Sequence, residues 1–185
     1  DHINCYLIRD GEGWCLVDTG MNRGDARARW RAVLEEALGG PVTRVVATHH
    51  HPDHVGLAGW LCDQLQVPLY MSESEYFYAG ALSGAPSETP YWEVAQFLER
   101  TAAKPATRER VLERRNDYAQ LVAAPPPSFH PLRDGERLSI GEHQWRVLTT
   151  RGHSPEHVAL YCEALDLLLA GDQVLPRITP NVSVT

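Results

Sequence analysis

Four of the chain's nine histidines lie within six residues, in His49-His50-His51-Pro52-Asp53-His54. Just before them runs Arg44-Val45-Val46-Ala47-Thr48, a strand emerging from a core. In extended backbone, residues i and i+2 face the same side. His49 and His51 are therefore predicted to point together, with Asp53 continuing the alternation and His54 lying where the next helix begins. His50 points away and is predicted not to be a ligand. Two imidazoles, a carboxylate and a further imidazole can then converge at one strand end. Nitrogen and oxygen donors of this kind suit Zn²⁺, and also Fe or Mn. The plain alternative is a solvated loop rich in histidine, and the spacing directly after an apolar strand argues against it.

Two later segments repeat the pattern. Arg151-Gly152-His153-Ser154-Pro155-Glu156-His157 follows the apolar strand Trp145 to Leu148, and His153 can supply a further imidazole. His157 opens the next strand and is expected to pack there. Leu167-Leu168-Leu169-Ala170-Gly171-Asp172 ends an all-apolar strand on an acidic residue. Alone, Asp172 would read as a turn residue. With two histidine clusters at other strand ends, it reads as an inward ligand.

These residues need a scaffold, and 185 residues with 43% hydrophobic content suffice for one domain with a sizeable core. The net charge of −7 makes a nonspecific nucleic-acid or membrane-surface binder a poor reading, because the mean field repels phosphate. A small-molecule substrate is expected instead. No run approaches the roughly 18 apolar residues of a membrane-spanning helix. The four cysteines form no C-x-x-C pair, which removes zinc-ribbon and thioredoxin readings. A turn at Asp10-Gly11 would put Cys15 opposite Tyr6, so Cys5 and Cys15 are not expected to pair. Four free thiols point to a reducing compartment, here the cytoplasm. The chain opens on Asp1-His2 without Met and ends on Asn181 to Thr185 without a closing helix, as expected of a fragment of a longer protein at both ends.

Ile3 to Ile8 and Trp14 to Val17 read as a hairpin around Asp10-Gly11. Residues 25–38 carry a helical stripe stopped by Gly39-Gly40. Val42 to Thr48 is a buried strand, Val55 to Gln66 a helix, and Pro68 to Ser72 a short strand. Residues 73–124 read as three helices, broken at Gly84-Ala85-Pro86 and Lys104-Pro105. Strand patterns return at 137–140, 144–150, 157–162 and 166–170. Strands on both flanks with helices between predict an α/β layered fold with mixed strand directions.

The clusters at 49–54, 152–155 and 171–172, with Leu16-Val17-Asp18-Thr19-Gly20 at an early strand end, resemble the metallo-β-lactamase-fold hydrolase superfamily over nearly the whole chain. The resemblance implies a single domain over residues 1–185 with an αββα sandwich of two mixed sheets flanked by helices, and residues 73–124 as a helical insertion. It implies two divalent metal ions, zinc first and iron or manganese otherwise. His49, His51 and His153 would hold metal one, Asp53 and His54 metal two, and Asp172 would bridge them. Asp18 would accept a hydrogen bond from a ligand or loop beside the metals, and so fix ligand orientation and tautomer. The family's last histidine has no counterpart after His157, and is expected beyond Thr185, with the rest of the fold. Ile178 to Asn181 also resembles a subgroup that continues into a winged-helix segment, some of whose members cut RNA.

Departures narrow the function. True β-lactamases generally do not bridge through Asp at the position of Asp172. The flavin-linked diiron enzymes carry Glu where His51 stands. The hydrolase branch remains, including glyoxalase II-like thioesterases, lactonases and nucleases. A water bridging two cations about 3.5–4 Å apart becomes a hydroxide nucleophile, Asp53 can orient it or take its proton, and a metal stabilises the oxyanion. The leading expectation is hydrolysis of a thioester or other acyl substrate. The alternatives are phosphodiester (RNA) cleavage, a mono-iron persulfide dioxygenase using His49, His153 and Asp172, and a non-catalytic binding module. The block 73–124 is expected to form a lid, with at least one of Tyr76, Tyr78, Tyr91 or Trp92 facing the metals.

Overall fold

The computed structural model describes residues 3–84, 92–112 and 118–181. Among these, two sheets pack face to face. The first holds β1 (Tyr6–Asp10), β2 (Gly13–Val17), β3 (Val42–Val46), β4 (Leu69–Met71) and β5 (His130–Pro131), in that spatial order. The second holds β6 (Arg137–Ile140), β7 (His143–Thr150), β8 (His157–Cys162) and β9 (Leu167–Leu169). The first sheet is mixed, antiparallel at β1–β2 and parallel from β2 to β5. The second is antiparallel throughout its described strands. The expected sandwich of two sheets with helices is present, and only one sheet mixes directions.

Side-chain alternation builds two cores. Cys15 and Val17 of β2 and Val46 of β3 face the second sheet, where they meet Ile140, Trp145, Val147, Val158, Leu160 and Cys162. Leu16 and Val45 face the opposite way, toward helices. This is the period-two rule applied to strands covered on both faces. The outer face of the second sheet is polar on β6 and the start of β7, with Arg137, Ser139, Gln144 and Arg146 exposed, and turns apolar toward β9, where Leu168 is exposed.

Helices α1 (Ala26–Ala32, continued by a wider turn at Val33–Ala37), α2 (Pro52–Val55), α3 (Ala58–Leu65), α4 (Glu73–Gly84), α5 (Trp92–Arg100), α6 (Pro105–Leu112) and α7 (Tyr118–Leu121) complete the described part. Three details differ from the sequence reading. The helix expected over 55–66 begins only at Ala58, and the separate short α2 precedes it, because Gly56 between them sits against the backbone carbonyls of Gly20 and Leu121 and its own carbonyl accepts the Ala123 N–H. A Cβ there would lie 2.6 Å from the Gly20 oxygen. The hairpin turns at Gly11-Glu12, which sets Cys15 opposite Ile8 and not Tyr6. The insertion holds a fourth helix, α7. All four cysteines are free. No described helix is long and apolar enough to cross a membrane.

Candidate metal centre

β2, β3 and β4 run parallel and end at one edge of the first sheet. Asp18, Thr48-His49 and Ser72 follow them there, where open α/β sheets commonly bind ligands. The second sheet joins this edge: the Val158 N–H donates to the Thr48 carbonyl at 2.8 Å. That bond brings the segments before β8 and after β9 to the same place. Residues 48–51 are bent and not extended, yet His49 and His51 still point together and His50 points away.

One donor atom from each of His49, His51, His153 and Asp172 lies within 4.8 Å of the others. His49 Nε2 is 2.9 Å from His51 Nδ1 and 3.1 Å from His153 Nε2. The protons of two rings are drawn outward. His153 Nδ1 donates to the Asn181 carbonyl at 2.8 Å, and His49 Nδ1 faces the Thr48 hydroxyl at 3.0 Å. Such outer partners fix the tautomer that leaves Nε2 as a donor to metal. Unshared pairs then face one another, an arrangement that a cation between them relieves.

Asp172 reaches a further pair of donors. Its Oδ2 is 3.4 Å from His153 Nε2 and its Oδ1 is 3.2 Å from His54 Nε2. Asp53 Oδ2 lies 3.8 Å from the same His54 nitrogen. His54 Nδ1 donates to Asp18 Oδ2 at 2.7 Å. His54 Nε2 itself is buried and makes no hydrogen bond, for all its nearness to Asp172. A buried ring nitrogen left open beside two carboxylates fits a divalent cation better than it fits any protein partner.

Electrostatics favour the same occupant. Burial, followed by the charge of neighbouring rings, holds His49 well below the usual histidine range and His51 down at about 4. Both rings are neutral near pH 7, as metal ligands must be. Burial also disfavours charge on His54, but the Asp172 carboxylate facing Nε2 and the Asp18 carboxylate bonded to Nδ1 raise its pKa to about 10. The facing His54 ring leads the causes that keep the Asp172 carboxyl below its ordinary value. The site is built to hold positive charge between these carboxylates.

Asp18 has the left-handed φ of 59° and is buried, with its carboxylate accepting the Thr48 N–H at 2.8 Å and facing the Thr48 hydroxyl at 2.9 Å. His157 is packed: its ring stacks on His49 at 4.7 Å, and its Nε2 accepts the Asp172 N–H at 3.2 Å. Gly171 has φ 51°, and a Cβ there would lie 2.6 Å from His157 Nε2. The His157 ring is fully buried and cannot retreat. Gly171→Ala is therefore expected to destabilise the fold by about 1–3 kcal/mol, from the left-handed backbone and overpacking. At about 2–4 °C per kcal/mol, thermal unfolding reads this, and an unchanged Tm would refute it.

Of the block 73–124, α4 and α7 pack beside the histidines. The Tyr118 hydroxyl donates to the His50 carbonyl, and the Tyr78 ring lies 5.1 Å from that of His50. Tyr76 corrects its place in the expected lid. Its ring stacks on Phe129 and its hydroxyl donates to the Pro126 carbonyl, within the helix-side core. Trp92 is exposed, and Tyr91 lies outside the described residues. Sequence reasoning missed Glu75, which is fully buried and accepts the N–H groups of His50 and Glu156 and the Ser154 hydroxyl. Burial would raise its pKa, but these donors and His50 Nδ1 lower it to about 2. It missed the roles of Thr48 and Asn181 as well.

Known proteins resemble this chain in sequence and fold. The chain is 41% identical to a beta-lactamase domain protein of Burkholderia ambifaria in its crystal structure, with a TM-score of 0.82, covering 100% of this chain and 54% of that one. TTHA1623, solved in a di-iron-bound form, is 26% identical with a TM-score of 0.64, over 97% of this chain and 71% of that one. The acyl-coenzyme A thioesterase MBLAC2 of Bos taurus is 28% identical over 182 residues, 94% of this chain and 59% of the thioesterase. The chain spans between 54 and 64% of the length of three other curated relatives. The family model described as the metallo-beta-lactamase superfamily matches residues 1–185. A family match over every residue, on two sheets whose meeting edge gathers histidines and aspartates, means that this chain belongs to the metallo-beta-lactamase superfamily.

Proposed function

We propose that this chain is the catalytic domain of a dinuclear metallo-hydrolase acting on acyl thioesters. The observation that carries the dinuclear reading is the Asp172 carboxylate, with one oxygen toward His153 and the other toward His54. It stands between a group of three imidazoles, His49, His51 and His153, and a group formed by Asp53 and His54. Zinc suits both groups, and iron or manganese would also bind such donors. When bound, two such ions acidify a water and polarise an acyl carbonyl.

The chain's own residues supply the rest. Asp53 is the more exposed of the two carboxylates beside His54 Nε2, so Asp53 Oδ2 is assigned to orient the attacking water and take up its proton. Asp18 and Thr48 hold the imidazoles in register. We assign contact with an acyl chain to Tyr78, which is partly exposed beside His50. The thioester class is supported by the likeness to MBLAC2. The four free thiols support a reducing, cytoplasmic setting.

The test is metal analysis of the purified protein, followed by thiol release from acyl-coenzyme A esters. Two ions per chain and hydrolysis that a chelator abolishes are expected. One iron per chain with dioxygen uptake on a persulfide would replace this reading with a dioxygenase. Phosphodiester cleavage without thioester cleavage would replace the substrate class.

A further inference from the structure

Glu75 is the buried titratable group that the proposed chemistry leaves unused. It lies in the first turn of α4, where an acidic side chain ordinarily faces its own helix N-terminus. Its carboxylate instead receives donors from two distant segments. Oε2 accepts the His50 N–H at 2.9 Å and faces His50 Nδ1. Oε1 accepts the Ser154 hydroxyl at 2.6 Å and the Glu156 N–H at 2.7 Å.

The surroundings make the same connection. Ser72, just before α4, donates its hydroxyl to the Glu156 carbonyl at 2.7 Å, and the Ser74 N–H donates to the Glu156 carboxylate at 3.0 Å. On the other side, Tyr118 of α7 holds the His50 carbonyl. His50 stands between His49 and His51, and Ser154 adjoins His153. Those three imidazoles come from segments about a hundred residues apart in the chain. Val158 to Thr48 is the described backbone hydrogen bond that ties the two segments directly, and it lies on the sheet side. Glu75 ties them on the helix side.

Resting on the metal-centre reading above, we propose that Glu75 is a positioning residue: its carboxylate clamps the His49–His51 segment to the His153 segment and so presets the three-imidazole group for metal. A carboxylate buried this deeply persists only when its donors are complete, so its position is dictated by both segments at once. α4 thereby becomes part of the metal site's frame.

The experiment measures Zn²⁺ affinity by chelator competition, and the visible spectrum of the Co²⁺-loaded protein, for the wild type, Glu75→Gln and Ser154→Ala. Outer partners of metal ligands are worth roughly 10–100-fold in affinity. Glu75→Gln is expected to weaken Zn²⁺ binding within that range and to alter the Co²⁺ spectrum. Ser154→Ala, which keeps the carboxylate and removes one donor, is expected to do so to a smaller extent and serves if Glu75→Gln does not fold. A merely structural Glu75 would lower the Tm of the metal-free protein and leave affinity and spectrum unchanged in the folded variants, which overturns the clamp. Asp172→Ala is the control for the underlying reading. If the wild type binds no Zn²⁺, or Asp172→Ala binds it as the wild type does, the metal-centre reading fails and the clamp falls with it. If that control behaves as expected and both clamp variants bind like the wild type, the clamp alone fails.

Discussion

Asp172→Ala is expected to lower metal content from two ions per chain to one or none, and to reduce kcat/KM by more than the roughly 100-fold that an outer partner is worth. Asp172 is the residue in reach of both donor groups, at 3.2 Å from His54 Nε2 and 3.4 Å from His153 Nε2. Without it, Asp53 Oδ2 at 3.8 Å is the remaining carboxylate oxygen described near His54 Nε2. The fold should survive the change. The Asp172 backbone N–H still donates to His157 Nε2, and Gly171 keeps the turn that places it. His51→Ala is expected to empty the three-imidazole group in the same way, whereas His50→Ala should keep the number of bound ions. Elemental analysis of the dialysed protein, with thioester turnover, measures all three. An Asp172→Ala protein that retained two ions and its rate would end the dinuclear reading.

How far the sequence discloses this site depends on how local each constraint is. His49, His51, His153 and Asp172 lie within a few residues of apolar strand ends, a signal that is local in the sequence, although the backbone at 48–51 is bent and not extended. Glu75 is different. Ser72-x-x-Glu75 has the form of a capping box, so its local reading is a helix start. Its partners at His50, Ser154 and Glu156 are tens of residues away, and nothing local marks them. Tyr76 and Tyr78 show the same limit. They are two apart on α4, hence on different faces, and the sequence offers no sign of which face meets the sheet. The break between α2 and α3 arises where Gly56 touches two other segments, a tertiary cause that helical periodicity does not register. The hairpin turn moved by one residue because Asp10 is held elsewhere: its carboxylate accepts the Gly141 N–H and pairs with Arg44.

Asp18→Asn is expected to weaken binding of the second ion by roughly 10–100-fold while leaving the fold intact. Asparagine has the same shape as aspartate and tolerates the left-handed backbone that Asp18 adopts at φ 59°. Its carbonyl can still accept the Thr48 N–H. What changes is the other end of the side chain. A carboxylate only accepts hydrogen bonds, so Asp18 holds the His54 Nδ1 proton in place, and Nε2, toward Asp53 and Asp172, is the nitrogen that can give up its proton to a metal. An amide N–H₂ facing His54 makes Nδ1 the acceptor, moves the ring proton to Nε2, and closes that nitrogen to metal. The effect extends to His49, because the Thr48 hydroxyl that faces His49 Nδ1 also faces Asp18 Oδ2. Asp18→Ala adds a backbone penalty of about 1–2 kcal/mol for a left-handed residue, so comparing the two variants separates the tautomer effect from strain. Chelator competition reads the first and thermal unfolding of the metal-free protein reads the second. An Asp18→Asn protein that bound two ions with wild-type affinity would show that the carboxylate does not govern the ring.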